Sequence, residues 1–136
     1  MEFALLAFMF EKLDVYQKSI DLAERILVAT SGFPRGFYFL SDQLNRASVS
    51  IATNLAEGNG RFTKADRKNF FTIARGSAQE CIPLIELAHR RSLISDAQYS
   101  QFRSDLEIIG KMLSGLINGL ENRNNYPQSA QSYKSD

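Results

Sequence analysis

Cysteine, histidine and tryptophan are nearly absent from this sequence, which has one cysteine, one histidine and no tryptophan among 136 residues. One cysteine can form neither an intrachain disulfide nor a structural zinc cluster, so we expect a reducing compartment and a cytoplasmic location. One histidine excludes any site that needs two imidazoles from the same chain. These absences disfavour most enzyme classes, and the length suits a single domain with its own core.

The few residues that could carry chemistry do not form a recognisable site. A di-iron four-helix bundle requires two Glu-x-x-His pairs, and the sequence has one, Glu86 to His89, which excludes a dinuclear centre within one chain. Cys81 falls on an apolar helix seam, where burial would make it unreactive. The Gly-Asn-Gly run at 58–60 is not followed by the Gly-Lys-Ser/Thr of a phosphate loop, so we interpret it as a helix terminator. We therefore predict a protein that is not an enzyme and that binds no metal or cofactor.

Both ends of the chain differ from the part between them. Residues 1–10 are an apolar extension without the basic start or cleavage site of a signal peptide. They are far shorter than the ~20 residues that span a bilayer, so no membrane partner is expected. This extension either packs against a hydrophobic groove or adds little to the fold. Residues 124–136 are polar and rich in helix breakers, which predicts a disordered tail after a domain over residues 11–123.

Apolar residues recur at helical spacing in four segments, and no stretch alternates with period two for long. The predicted helices cover about 13–30, 41–57, 63–91 and 96–122. Gly32 is expected to end the first in a left-handed turn and Ser41 to cap the second, while Ser95 and Gln98 form a capping box before the fourth. Four such helices joined by loops predict an all-α, antiparallel up-down-up-down four-helix bundle. Their apolar faces are too wide for one interior, which favours a homo-oligomer.

Positive charge is concentrated in one part of the chain although the net charge is only +1. Between residues 35 and 75 there are seven basic residues and three acidic ones. The predicted nucleic-acid contacts lie at the second loop and on the polar face of the third helix: Arg61, Lys64, Arg67, Lys68 and Arg75. Such a basic stripe suits the phosphate backbone of RNA or DNA. The alternative interpretation is an ordinary solvated helix face.

A second group of polar residues lies opposite the apolar face of the second helix. Arg46, Ser50, Asn54 and Glu57 share one side of that helix, and Glu80 follows on the third. A simple bundle core does not require them. We expect Arg46 to pair with Glu57 or Glu80 in a partly buried contact, which either ties the two helices together or crosses to the next subunit. A direct role in ligand binding is the alternative.

The order of several short motifs resembles that of a known bacterial family. These motifs are Phe10-x-x-Leu13-x-Val15, Phe33-Pro34, Gln43-Leu44-x-Arg46-Ala47-x-x-Ser50-Ile51-x-x-Asn54-x-Ala56-Glu57-Gly58 and Arg75-Gly76-Ser77-x-x-Glu80. Over about residues 10–120 the sequence resembles the four-helix-bundle proteins encoded in 23S rRNA intervening sequences. It is more distantly similar to the accessory proteins of diversity-generating retroelements. The resemblance implies a homopentameric ring without enzymatic activity, which binds RNA, DNA or a nucleic-acid-handling protein.

Two functions follow from the sequence as hypotheses. The leading one is a non-enzymatic oligomeric module that binds the RNA or DNA backbone through the five basic residues named above. The alternative is a protein–protein interaction scaffold or accessory subunit without direct nucleic-acid contact. Such a scaffold would dock through residues 1–10 or through the aromatic run Phe37-Tyr38-Phe39.

Overall fold

The computed structural model describes residues 13–123, and the extension and tail expected at 1–10 and 124–136 lie outside the described residues. Within that part the chain forms four α-helices and no strand, which confirms the all-α prediction. They are α1 (Asp14–Thr30), α2 (Tyr38–Asn59), α3 (Lys64–Arg90) and α4 (Asp96–Arg123), with a 3₁₀ turn at Arg35–Phe37 before α2. No helix in the described part is long and apolar enough to cross a bilayer.

The four helices pack around one hydrophobic core. Helix α2 contacts α1 and α3, and α4 contacts α3 and α1, so the four helices enclose the core between them. Most apolar positions predicted from the periodicity are buried, although Ile20 and Leu27 of α1 are exposed. The largest fully buried side chains come from all four helices: Leu22, Ile26, Leu44, Ile51, Leu55, Phe71, Ile85, Ile109 and Leu113. The buried hydroxyl of Ser19 donates to the Val15 carbonyl oxygen at 2.7 Å, which satisfies a polar group inside the core.

Two of the predicted helix starts are confirmed in detail. Ser95 N donates to Gln98 Oε1 at 2.8 Å, and Gln98 N donates to Ser95 Oγ at 3.1 Å, which is the reciprocal pair of a capping box. Thr63 Oγ1 accepts a hydrogen bond from Asp66 N at 3.1 Å and caps α3. These bonds satisfy backbone donors that the first turn of a helix leaves unpaired.

The start of α2 and the end of α1 differ from the prediction. Pro34 opens a 3₁₀ turn in which Phe37 N donates to the Pro34 carbonyl oxygen at 2.9 Å, and this turn runs directly into α2. Helix α2 therefore begins at Tyr38, and Ser41 lies inside it instead of capping it. Gly32 is not left-handed, because no described glycine has a positive φ; that conformation occurs at Ser92, which ends α3.

Candidate nucleic-acid interface

The connection from α2 to α3 is held by close packing and by a helix cap. Gly58 is buried, and an added Cβ atom would lie 2.8 Å from Phe71 Cε1, so only glycine lets the two helices approach this closely. Helix α2 continues past it to Asn59, two residues beyond the predicted end. Gly58 is thus a packing residue, and the interpretation of the whole 58–60 run as a terminator was wrong for its first glycine.

Four of the five predicted basic residues lie together at this connection, and we call Arg61, Lys64, Arg67 and Lys68 the cationic corner. Arg61 is exposed, donates to Glu57 Oε2 at 2.8 Å and places its guanidinium carbon 4.6 Å from the centre of the Phe70 ring. That contact rests the cation on an aromatic face while its remaining donors point to solvent. The corner therefore presents Arg61 in an oriented position.

The two lysines of the cationic corner are exposed on α3. Lys68 Nζ lies 2.5 Å from Glu121 Oε2, so it joins the beginning of α3 to the end of α4. An exposed pair of this kind adds little to stability because water and salt screen it. A phosphate oxygen can therefore replace the carboxylate at small cost.

Arg67 is less available than the other members of the cationic corner. Its side chain is half-buried, with the guanidinium carbon 6.0 Å from the centre of the Phe71 ring. Its Nε is buried and has no hydrogen-bond partner among the described residues. The position covers the core ring of Phe71 with the arginine stem, leaving only the end of the guanidinium for an outside ligand.

Arg75 lies apart from the cationic corner. It is seven residues beyond Lys68 in the same helix, which corresponds to about 10 Å along the axis. Its Nη1 donates to Ser114 Oγ of α4 at 3.2 Å, and it lines a groove of about 550 Å³ between α3 and α4. Lys111 lines the same groove, and the sequence reasoning did not single it out because it comes from a different helix.

Acidic residues reduce the field of the cationic corner. Glu57 and Glu121 bind two of its cations, and Asp66 lies in the first turn of α3. Four cations thus stand among three carboxylates, and these seven side chains together carry about one net positive charge. The sequence count over residues 35–75 overstated the local potential because Glu121 comes from the far end of the chain.

The second polar group does not form the predicted pair within one chain. Arg46, Glu57 and Glu80 are all exposed, and Glu57 binds Arg61 instead of Arg46. Asn54 Nδ2 donates to Ser50 Oγ at 2.9 Å, so these two members of the group are hydrogen-bonded to each other within α2. Arg46 is exposed, so it can still pair with a carboxylate of a neighbouring subunit, which was the second form of the prediction.

The remaining titratable candidates take part in structural contacts. Burial raises the pKa of the Cys81 thiol to about 12, which keeps it protonated and unreactive near neutral pH. His89 Nε2 lies 2.6 Å from Asp96 Oδ1 and its ring stacks on Tyr99, while Glu86 binds Arg90 at 2.8 Å. Among residues 13–123 no group of three or more His, Cys, Asp or Glu side chains could hold a metal ion.

Two comparisons with known proteins found similarity. The model of the 23S rRNA-intervening sequence proteins matches residues 11–115. A crystal structure of a protein of unknown function from the S23 ribosomal protein family of Bacteroides thetaiotaomicron is similar, with a TM-score of 0.71 and 29% identity over 76% of this chain and 95% of that one. The chain matches none of the curated proteins compared with it. Because the family model covers most of the sequence, the chain belongs to the 23S rRNA-intervening sequence protein family.

Proposed function

We propose that this protein is a non-enzymatic oligomeric module that binds the backbone of RNA or DNA through the cationic corner, with Arg75 as a more distant contact. The observation that carries the proposal is the gathering of Arg61, Lys64, Arg67 and Lys68 where α2 leads into α3. The family description, which refers to an intervening sequence of 23S rRNA, supports an RNA context. The distant resemblance to retroelement accessory proteins makes a nucleic-acid-handling protein a further partner in the same proposal.

The proposal includes an antiparallel up-down-up-down arrangement of the four helices. Lys68 near the start of α3 binds Glu121 near the end of α4, as two antiparallel neighbours would. Thr30 at the end of α1 donates to Asn45 Oδ1 in the first half of α2 at 2.8 Å. In this arrangement the cationic corner occupies one end of the bundle, where it can face a ligand without blocking the helix faces.

The proposal also includes a ring of copies, with five as the number that the family resemblance implies. Exposed apolar side chains stand on the outer sides of several helices: Ile20, Leu27 and Val28 on α1 and Ile73 and Leu87 on α3. Gly76 lies between Ile73 and Leu87, and a Cβ atom there would meet nothing within 4 Å. A glycine in a helix interior is unfavourable by about 1 kcal/mol relative to alanine, and no contact among the described residues explains Gly76. A neighbouring subunit on this face would explain both features.

Assembly matters for the function because one cationic corner is weakly charged. Five copies would place five corners on one surface, and their fields would add. The ring thereby supplies the extended positive surface that a single chain lacks. We place this assembly in the cytoplasm, in keeping with the single buried thiol.

The experiment for this proposal is a salt titration of binding. The full chain is mixed with a fluorescent oligonucleotide, and its affinity is measured by anisotropy from low to physiological salt. If about four phosphates are contacted per subunit engaged, the logarithm of the affinity falls against the logarithm of salt with a slope near −3 to −4. The double variant Lys64→Gln/Lys68→Gln should flatten the slope by about 2, whereas the control Lys18→Gln on α1 should not change it. Binding that is absent, or that does not vary with salt, contradicts the proposal.

A protein-interaction scaffold is the second candidate, and one observation favours it. Tyr38 and Phe39 at the start of α2 are both more than half exposed, which is unusual for two adjacent aromatic rings. Rings of this kind are frequent anchors of protein interfaces. A protein partner that is recovered equally well after nuclease treatment, and lost with Phe39→Ala, supports the scaffold function.

A further inference from the structure

Phe62 is the most exposed large apolar residue in the described part of the chain. It lies in the connection 60–63, and its side chain is as accessible as in an unfolded chain. An exposed phenylalanine forgoes the roughly 1.5–3 kcal/mol that burying its ring would provide. It also has no part in shaping the loop, because its neighbours do that through other groups. The packing of residues 13–123 therefore does not explain why the ring is there.

Hydrogen bonds hold the backbone of the loop on both sides of Phe62. Before it, Arg61 N donates to the Gly58 carbonyl oxygen at 3.2 Å. After it, Thr63 caps α3, and Arg67 N donates to the Thr63 carbonyl oxygen at 3.0 Å. Bonds on both sides restrict the backbone next to Phe62, so the direction in which its side chain leaves the loop is largely set before a ligand binds.

The surroundings of the ring are cationic. Phe62 directly follows Arg61 and precedes Lys64, and the cationic corner continues to Lys68 on the next turn of α3. Glu57 and Arg61 line a groove of about 540 Å³ beside the loop, together with Thr53, Ala56 and Gly60. An aromatic ring with basic neighbours is the combination with which proteins bind single-stranded nucleic acid: cations follow the phosphates while bases stack on the ring.

We infer that Phe62 is a stacking platform for one unpaired base of a single-stranded RNA or DNA segment whose phosphates lie on the cationic corner. This inference rests on the proposed function and names its substrate class. Bases within a duplex are stacked on one another and leave no face for the ring, so the protein discriminates single strands and loops from perfect duplexes. The phenyl ring has no hydrogen-bonding group, so the discrimination is by strandedness and not by base identity.

Two substitutions of Phe62 test the inference by binding and by fluorescence. Phe62→Ala should weaken binding of a short single-stranded oligouridine by about 5- to 150-fold and leave binding of a duplex of equal length unchanged. Because the chain has no tryptophan, Phe62→Trp introduces a single indole reporter. This variant should keep the affinity for single strands, and its fluorescence should be quenched as the base stacks on the ring.

The controls separate stacking from loss of structure and from the proposed function itself. Ile108→Ala removes another exposed apolar side chain, on α4, and it should leave both affinities unchanged. The salt slope of Phe62→Ala should equal that of the unmodified protein, because the phosphate contacts remain.

Three results would overturn the inference. If the unmodified protein binds with a steep salt dependence but Phe62→Ala binds single strands equally well, the stacking platform fails and the proposed function stands. If the unmodified protein binds no nucleic acid, both fail. If Phe62→Trp responds to anionic phosphatidylserine vesicles and not to oligouridine, the ring is a membrane contact instead.

Discussion

Gly58 of α2 and Phe71 of α3 are in such close contact that a Cβ atom on the glycine would lie 2.8 Å from a ring carbon of the phenylalanine. Phe71 is fully buried, so its ring cannot turn aside freely. This contact sets the distance between the two helices just before the cationic corner. The position of the basic residues therefore depends on a glycine that carries no charge.

Replacing this glycine tests the contact. We expect Gly58→Ala to lower the free energy of unfolding by about 1–2 kcal/mol. The added methyl group over-packs the contact at a cost of about 1–3 kcal/mol, and the better helix propensity of alanine offsets part of that cost. Chemical denaturation measures the change. The control is Gly115→Ala on α4, where a Cβ atom meets nothing within 4 Å, and it should raise stability by about 0.5–1 kcal/mol. Equal effects at both glycines would contradict the account of the α2–α3 contact.

Removing the charge of Lys68 and removing that of Glu121, which form an ion pair, should change the nucleic-acid affinity in opposite directions. Lys68→Gln removes one of the proposed phosphate contacts and should weaken nucleic-acid binding about five-fold at physiological salt. Glu121→Gln frees Lys68 and removes a negative charge, so it should strengthen binding by a similar factor. Both variants should unfold within about 0.5 kcal/mol of the parent, because exposed pairs contribute little. Weakening of binding by both substitutions would show that the pair acts through structure.

Arg46 gives a prediction about assembly. Because its side chain is exposed and does not bind Glu57, Arg46→Met should change the stability of the isolated chain by no more than about 0.5 kcal/mol. If Arg46 pairs with a carboxylate of the next subunit, the oligomer of this variant should be weaker. On dilution it should begin to dissociate at a higher protein concentration than the parent, as measured by light scattering. Arg90→Met on α3, which breaks the pair with Glu86, is the control that should leave assembly unchanged. An unfolded Arg46→Met chain would show that the residue is needed within the subunit.

The buried thiol of Cys81 should make the free energy of unfolding fall as the pH rises into the alkaline range. Its pKa is about 12 in the folded chain against 9.0 for an ordinary thiol, because burial disfavours the thiolate. The unfolded chain therefore releases its proton first as the pH rises, so this contribution to stability is complete below about pH 9 and is lost between about 9 and 12. Denaturation of Cys81→Ala should show a smaller loss of stability over that range than the parent. The parent thiol should also resist a thiol reagent at neutral pH until the chain unfolds; rapid labelling of the native protein would contradict its burial.

The sequence pattern predicts the helices well because each has an apolar face of helical period that needs a core. The spacing of Leu106, Ile109 and Leu113 is an example, and all three are buried. Local signals such as the Ser95 and Gln98 box were also confirmed, since both partners lie within one turn. The start of α2 was missed because a 3₁₀ turn after Pro34 continues into the helix, which no local cap residue indicates.

The candidate site was less predictable because its properties depend on residues far apart in the sequence. Lys68 and Glu121 are separated by 53 positions, and Glu121 removes one positive charge from the sum that a count along the chain would assign to that part of the surface. The burial of Arg67 against Phe71 follows from packing and not from helical period. Phe62 had a readable signal, an aromatic residue between Arg61 and Lys64 in a short loop, but only the structure shows that its ring is fully exposed.

The central claim is that copies of this chain assemble and bind nucleic acid together through their cationic corners. The full chain is sedimented together with a labelled single-stranded RNA, and the absorbances of protein and RNA are monitored in the same cell. This run measures assembly and nucleic-acid binding at once. We expect the RNA to sediment with an assembly of about five copies and to separate from it at high salt. A protein that sediments as a single 15.3 kDa chain while the RNA sediments alone would contradict it.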